Sequence, residues 1–139
     1  MQFVPYLGFD GQCAEAFRFY HAVLGGELTI LTHGESPLAD EVPAEWRDRV
    51  MNATLVAEGA VLMGGDAPPG EGATPQGFCV AIQVDEPAEA ERIFHALLDG
   101  GRVTMPLQTT FWAERFGMLV DRYGTPWIVN GLGAAQRGA

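Results

Sequence analysis

Histidine and cysteine are the side chains of this sequence best suited to binding a metal or acting as a base. His21 and His95 lie on the polar stripes of two amphipathic helix patterns, so we expect both to be solvated. His33 ends a predicted strand, and it could act as a general base only with a carboxylate or a substrate in hydrogen-bond reach. Cys13 and Cys79 form no CxxC pattern, and we expect them to be small core or pocket residues rather than a disulfide.

Polar residues on predicted strands are better suited to ligand binding than to catalysis. Period-2 alternation places Cys79 and Gln83 on one face of a strand, and Asn52 and Thr54 on one face of another. Polar groups on an inner sheet face need partners, which a ligand, water or one another can supply. The sequence does not decide between ligand binding and internal pairing.

Aromatic residues and an arginine follow in a loop-like stretch before the penultimate predicted strand. An arginine beside aromatic rings can hold an anionic or aromatic ligand by stacking and hydrogen bonding. The alternative for Trp112 is a packing or subunit-interface role. The complete set of candidate ligand-binding residues is Asn52, Thr54, Cys79, Gln83, Gln108, Trp112 and Arg115.

An internal repeat indicates which elements position these residues. Residues 14–24 recur, shifted by 74, as residues 88–98, with seven of eleven positions identical. Both copies carry apolar residues at the i, i+3, i+4, i+7, i+8 spacing of a helix with one buried stripe, and a Gly-Gly pair follows each. Strand patterns flank both copies, at residues 3–9, 28–32, 52–57, 60–63, 78–84, 102–105, 118–121 and 127–130.

The repeat predicts a single domain of two tandem βαβββ modules, residues 1–66 and 77–131. One helix on a four-stranded sheet leaves the other sheet face uncovered, so the modules must share a core. We therefore predict an α+β fold in which the modules form one curved eight-stranded mixed sheet with the helices outside. Hairpins are predicted at Glu58-Gly59 and Tyr123-Gly124, and the segments 34–49 and 64–76 are predicted loops.

Composition and charge narrow the class of protein. The chain has 139 residues, of which 47% are hydrophobic, enough to bury a core without a metal or a disulfide. Eighteen acidic residues against eight basic ones give a formal net charge of −10, which argues against nucleic acids and anionic membranes as partners. No apolar run is long enough to span a membrane and no signal-peptide pattern is present, so we expect a cytoplasmic protein.

The paired modules resemble the vicinal oxygen chelate superfamily, which includes glyoxalase I, bleomycin-resistance proteins and extradiol dioxygenases. Local motifs are more similar to its PhnB-like branch. The residues that carry this resemblance include Pro5-Tyr6-Leu7-Gly8-Phe9-Asp10-Gly11, Leu62-Met63-Gly64-Gly65-Asp66, Gly100-Gly101-Arg102 and Arg115-Phe116-Gly117. The resemblance covers nearly the whole chain, and it implies a homodimer.

In metal-using members of this superfamily, His and Glu side chains from four strands bind one divalent ion. The corresponding positions here fall near Pro5, on Asn52 or Thr54, on Cys79 and within residues 127–129. A single thiolate is a poor metal site, so we expect no bound metal and no cofactor. Some PhnB-like members carry a demethylubiquinone methyltransferase label, but no nucleotide-type glycine loop follows a strand in this sequence.

Three functions remain at this point. The favoured one is a metal-free protein that binds a small organic molecule in the sheet cavity. The alternatives are a glyoxalase-type lyase or isomerase, or a related dioxygenase, and sequestration of a bleomycin-type antibiotic. The inner-face candidates include no acidic residue, so a neutral or anionic ligand fits them better than a cation.

Overall fold

The computed structural model describes residues 1–133 of the chain. This part of the chain divides into two compact units, one covering Met1–Thr74 and the other beginning at Pro75. The predicted modules, residues 1–66 and 77–131, each fall within one unit. None of the helices in residues 1–133 is long and apolar enough to cross a membrane.

The first module is a four-stranded sheet with one helix against it. Its elements, in chain order, are β1 (Tyr6–Phe9), α1 (Cys13–Leu24), β2 (Glu27–Thr32), β3 (Val50–Ala57) and β4 (Ala60–Asp66). The strands lie in the order β1-β4-β3-β2, with β1 parallel to β4 and the other pairs antiparallel. The predicted loop between β2 and β3 contains three short 3₁₀ helices, His33–Glu35, Ala39–Glu41 and Ala44–Trp46.

The second module repeats this arrangement. Its elements are β5 (Val80–Val84), α2 (Pro87–Leu98), β6 (Arg102–Gln108), β7 (Arg115–Val120) and β8 (Pro126–Gly131). The strand order is β5-β8-β7-β6, again with the first and last strands of the module parallel. The predicted α+β fold of two βαβββ modules is therefore confirmed.

Strand pairing refines the expectation of one eight-stranded sheet. Hydrogen bonds group the strands of residues 1–133 into two four-stranded mixed sheets, one in each module. The cause is the parallel pairing of β1 with β4 and of β5 with β8, which completes a sheet within each module.

Both predicted helices are confirmed, and both end at the last residue of their repeat segment. The two copies differ most at Phe17 and Glu91, which occupy the same position in the repeat. Phe17 packs against Gly64 of β4, where a Cβ atom would lie 2.6 Å from the ring. The buried helix residues are Cys13, Ala16, Phe17, Tyr20 and Val23 in α1, and Ala90, Ile93, Phe94 and Leu97 in α2.

The Gly-Gly pairs have a steric explanation. Gly26 and Gly101 follow α1 and α2 and lie directly against the neighbouring strand. A Cβ atom at Gly26 would clash with the carbonyl oxygen of Val56, and one at Gly101 would clash with that of Val120. Only glycine lets the chain leave each helix this close to the sheet.

The predicted hairpin turns are both present, and they are built differently. Glu58 and Gly59 have φ values of 51° and 81°, and two positive φ angles are typical of the type I′ turn that suits a two-residue hairpin. The turn between β7 and β8 is longer and is organised by Asp121, which is buried. Its Oδ1 accepts the backbone N–H groups of Tyr123 (2.8 Å) and Thr125 (3.0 Å), and its Oδ2 accepts Nε1–H of Trp127 (2.8 Å).

A second carboxylate organises the first module. Asp66, at the end of β4, accepts the backbone N–H groups of Gly11 (2.9 Å) and Cys13 (3.0 Å) through Oδ1. Its Oδ2 accepts the backbone N–H of Val50 at 2.9 Å. One side chain therefore holds the beginnings of α1 and β3 against the end of β4. The sequence analysis assigned no such role to Asp66.

The two cysteines lie in contrasting environments. Cys13 is fully buried at the beginning of α1, whereas Cys79 is exposed just before β5. Burial, and then the nearby carboxylate of Asp66, raises the pKa of the Cys13 thiol to about 12. Cys13 should therefore be almost entirely protonated near neutral pH, and the thiolate is the reactive form.

We expect Asp121→Asn to destabilise the protein by about 2 kcal/mol, because the new amide NH₂ group would face the Nε1–H donor of Trp127. Urea unfolding followed by circular dichroism measures the change. The matched control is Asp40→Asn, since the Asp40 side chain is fully exposed and lies 3.8 Å from Arg47. Equal unfolding midpoints for the two variants would contradict the role given to Asp121.

We expect a thiol reagent at pH 8 to modify one cysteine per folded chain and both cysteines in denaturant. Cys79→Ser should abolish labelling of the folded protein, because the remaining thiol of Cys13 is buried and protonated. Cys13→Ser should leave it unchanged. Intact-protein mass spectrometry counts the labels, and rapid labelling of folded Cys79→Ser would show that Cys13 is accessible.

Candidate functional site

Four side chains form a row across the sheet of the second module. In the backbone register, Gln83 of β5 lies beside Asn130 of β8, Asn130 lies beside Phe116 of β7, and Phe116 lies beside Gln108 of β6. Cross-strand partners share a face of the sheet, so the four side chains lie on one face. We call this set the Asn130 row.

The Asn130 row lies on the sheet face opposite α2. On β8, Trp127 and Val129 are buried and alternate with Ile128 and Asn130, which are only half-buried. On β7, Gly117 lies against α2, since a Cβ atom there would be 2.6 Å from the ring of Phe94. Alternation therefore sends Phe116 and Asn130 to the face opposite α2.

A β-bulge brings Gln108 into the row. Met105 pairs with Met118 and Gln108 pairs with Phe116, so three steps along β6 match two steps along β7. Without this bulge, Leu107 would lie opposite Phe116; instead its side chain lies over Gly117, on the α2 side. Pro106 lies within the bulged stretch, at an edge strand where a missing N–H is tolerated.

A tight turn holds an aromatic ring next to the row. The backbone N–H of Thr110 donates to the carbonyl oxygen of Ala113 (3.0 Å), and the N–H of Ala113 donates to Thr110 Oγ1 (3.2 Å). The turn presents Trp112, whose ring meets that of Phe116 edge-on with centroids 5.2 Å apart. The Trp112 side chain is 40% exposed, so part of its surface is open to solvent.

The central residue of the row has an unsatisfied hydrogen-bonding group. Within residues 1–133, Asn130 Oδ1 is the buried side-chain polar atom that has no hydrogen-bond partner. Leaving a buried acceptor unpaired costs about 1–3 kcal/mol, and such groups are rare in folded proteins. A donor from a bound molecule or water would remove this cost.

No binding role was predicted for Asn130 from the sequence. Residue 130 is the last residue of a predicted strand, 127–130. The available signal was the alternation on β8, where Asn130 follows the buried residues Trp127 and Val129 at a position of opposite phase.

Arg115 lies on the other side of this sheet, away from the row. It is opposite Gly131, which packs against Pro87 of α2. Its Nε donates to Glu91 Oε1 at 2.7 Å, and its Nη1 donates to Thr109 Oγ1 at 3.3 Å. These groups border a cleft of about 360 Å³, whose lining residues are Pro87, Ala88, Glu91, Thr109, Glu114 and Arg115.

The other candidate residues are distributed as follows. Asn52 and Thr54 lie on one face of β3 in the first module, as predicted, and Asn52 Nδ2 donates to Thr54 Oγ1 at 3.0 Å. Cys79 precedes β5 and is exposed. The structure therefore places Gln108 and Trp112 beside Phe116, and Gln83 beside Asn130 in the same row, while Asn52 is paired within its own strand.

The residues present do not fit the divalent-metal site of the superfamily. In residues 1–133, no three His, Cys, Asp or Glu side chains are grouped so that they could hold a metal ion. Of the positions that the resemblance assigns to ligands, Asn52 is bonded to Thr54 and Cys79 is exposed. His33 lies beside Trp46, with ring centroids 5.9 Å apart.

Comparison with known proteins supports the resemblance along most of the chain. A family model described as 3-demethylubiquinone-9 3-methyltransferase matches residues 1–130. The protein YjdN of Escherichia coli K12 is 33% identical over 139 residues, which cover 94% of this chain and 95% of YjdN.

Solved structures have the same fold. The crystal structure of protein PA1353 from Pseudomonas aeruginosa is 47% identical, with a TM-score of 0.87, and the match covers 96% of this chain and 98% of that one. A putative 3-demethylubiquinone-9 3-methyltransferase, PhnB protein, from Bacillus cereus is 24% identical, with a TM-score of 0.72, covering 94% and 98% of the two chains. The chain thus belongs to the family described as 3-demethylubiquinone-9 3-methyltransferase.

Proposed function

We propose that the Asn130 row and Trp112 bind a small, uncharged organic molecule. The observation that carries this proposal is the buried and unpaired Oδ1 of Asn130, at the middle of a face that no helix of its module covers. A binding site explains an energetic cost that packing alone would have removed, for example by an apolar residue at this position.

The composition of the row supports an uncharged ligand. Gln83, Asn130 and Gln108 are amides, which can both donate and accept hydrogen bonds, and none of the four row residues is charged. A charged ligand would lose hydration without gaining a counter-charge from these residues. The guanidinium of Arg115 is on the α2 side and is held by Glu91.

The aromatic residues supply the apolar part of the site. Phe116 and Phe111 both meet the ring of Trp112 edge-on, and Trp112 keeps exposed surface beside the row. A flat apolar group can pack there, while its polar substituents reach the amides. Binding of this kind uses hydrogen bonds and ring contacts, so we assign the row a binding role and not a catalytic one.

A thermal-shift screen of small metabolites, together with cationic antibiotics, tests this proposal. An uncharged ligand at about 100 times its dissociation constant should stabilise the protein by about 2.7 kcal/mol. We expect Asn130→Leu to lose this stabilisation, because the substitution removes the amide from the row. Gln12→Leu is the matched control, since it replaces an exposed amide before α1 that makes no capping hydrogen bond.

Arg115→Ala distinguishes the two faces of the sheet. Ligands bound at the Asn130 row should stabilise Arg115→Ala as strongly as they stabilise the wild type. If the ligands instead fail to stabilise Arg115→Ala but still stabilise Asn130→Leu, the cleft beside α2 is the site and the proposal is wrong. Stabilisation by polycations alone would favour antibiotic sequestration.

A further inference from the structure

Resting on the proposed function, we infer the chemical class of the ligand: an aromatic ring with a directly attached hydroxyl or ring N–H, which donates to Asn130 Oδ1. The inference joins two features of the row that lie side by side. One is an acceptor without a donor, and the other is a pair of aromatic rings.

The unsatisfied atom determines the polarity of the ligand group. Asn130 Oδ1 is an acceptor, so it requires a donor. An ionised carboxylate has only acceptor oxygens, and ethers and ketones also lack a donor. Hydroxyl and N–H groups remain, and of these the uncharged forms match the uncharged row.

The distance across the strands determines where the donor must be on the ligand. Asn130 and Phe116 are direct cross-strand partners, and the Cβ atoms of such partners are about 4.5–5.5 Å apart. Phe116 is buried under Trp112, so a ligand ring packs on Trp112 above β7, the strand next to Asn130. A hydroxyl or N–H on the edge of that ring reaches the amide, whereas a donor on a long flexible chain gains nothing from the adjacent rings.

A ligand reaches the Asn130 Oδ1 atom only when the side chains around it move. The Asn130 residue is half-buried although its Oδ1 is covered, so a ligand donor meets the oxygen when the side chains that cover it are displaced. Gln83, beside Asn130, and Gln108, on the far side of Phe116, are exposed and lie on the two edge strands of the sheet. Both can move aside or bond to other polar groups of the ligand.

Two pairs of probes test the inference on the wild-type protein: indole against 1-methylindole, and phenol against anisole. Within each pair the ring is kept and the donor is replaced by a methyl group. We expect indole and phenol to bind about tenfold more tightly than their methylated partners in isothermal titration calorimetry, the ratio expected for one buried hydrogen bond.

Two variants identify the amide as the acceptor. Asn130→Leu should bring each pair to equal affinity, whereas Asn130→Asp, which keeps an acceptor oxygen, should retain the preference for the donor. Circular dichroism checks that both variants fold. The comparison of probes on the wild type remains valid even if Asn130→Leu does not fold.

The outcomes separate this inference from the proposal on which it rests. If both members of each pair bind equally and Trp112→Ala weakens both, the row binds ligands but the inferred donor is wrong. If the probes bind identically to wild type, Asn130→Leu and Trp112→Ala, or bind to none of them, both the donor and the site are overturned.

Discussion

The packing of α2 on one face of its sheet is the constraint from which the candidate site follows. Gly117 and Gly131 have no side chain, which lets β7 and β8 approach Phe94 and Pro87 of the helix. Because side chains alternate along a strand, each residue on the helix side forces its neighbour to the opposite side. Phe116 and Asn130 therefore share the face opposite α2, and Arg115 is directed to the helix and its partner Glu91.

The register that aligns the Asn130 row depends in turn on a buried carboxylate. Asp121 fixes the turn between β7 and β8 and bonds to Trp127 at the beginning of β8. A shift of the β7–β8 pairing by one residue would move Asn130 to the α2 side, since side chains alternate with a period of two. The hydrogen bonds of Asp121 are thus connected to the site, although the carboxylate itself contacts none of the row.

The elements with the clearest hydrophobic periodicity in the sequence were the ones predicted most accurately. The helical repeat predicted both helices to their last residue, and alternation grouped Asn52 with Thr54 correctly. Strand β7 was predicted to begin at residue 118, whereas it begins at Arg115, and this is why Arg115 was grouped with Gln108 in one loop. The bulge in β6 could not be predicted, because an inserted residue interrupts the period that would have revealed the face of Gln108.

Each module has an amide on the sheet face opposite its helix, and the two amides differ in their hydrogen bonds, which favours the second module as the binding unit. Side chains two positions apart on a strand share a face, so each can be the other's nearest partner. For Asn52 that neighbour is Thr54, whose hydroxyl accepts its Nδ2–H. For Asn130 it is Ile128, which has no polar side-chain atom; of its two cross-strand partners, Phe116 has none and Gln83 carries an amide. Asn52 Nδ2 is therefore paired within its own strand, whereas Asn130 Oδ1 has no partner even though Gln83 lies beside it, and a ligand can supply one.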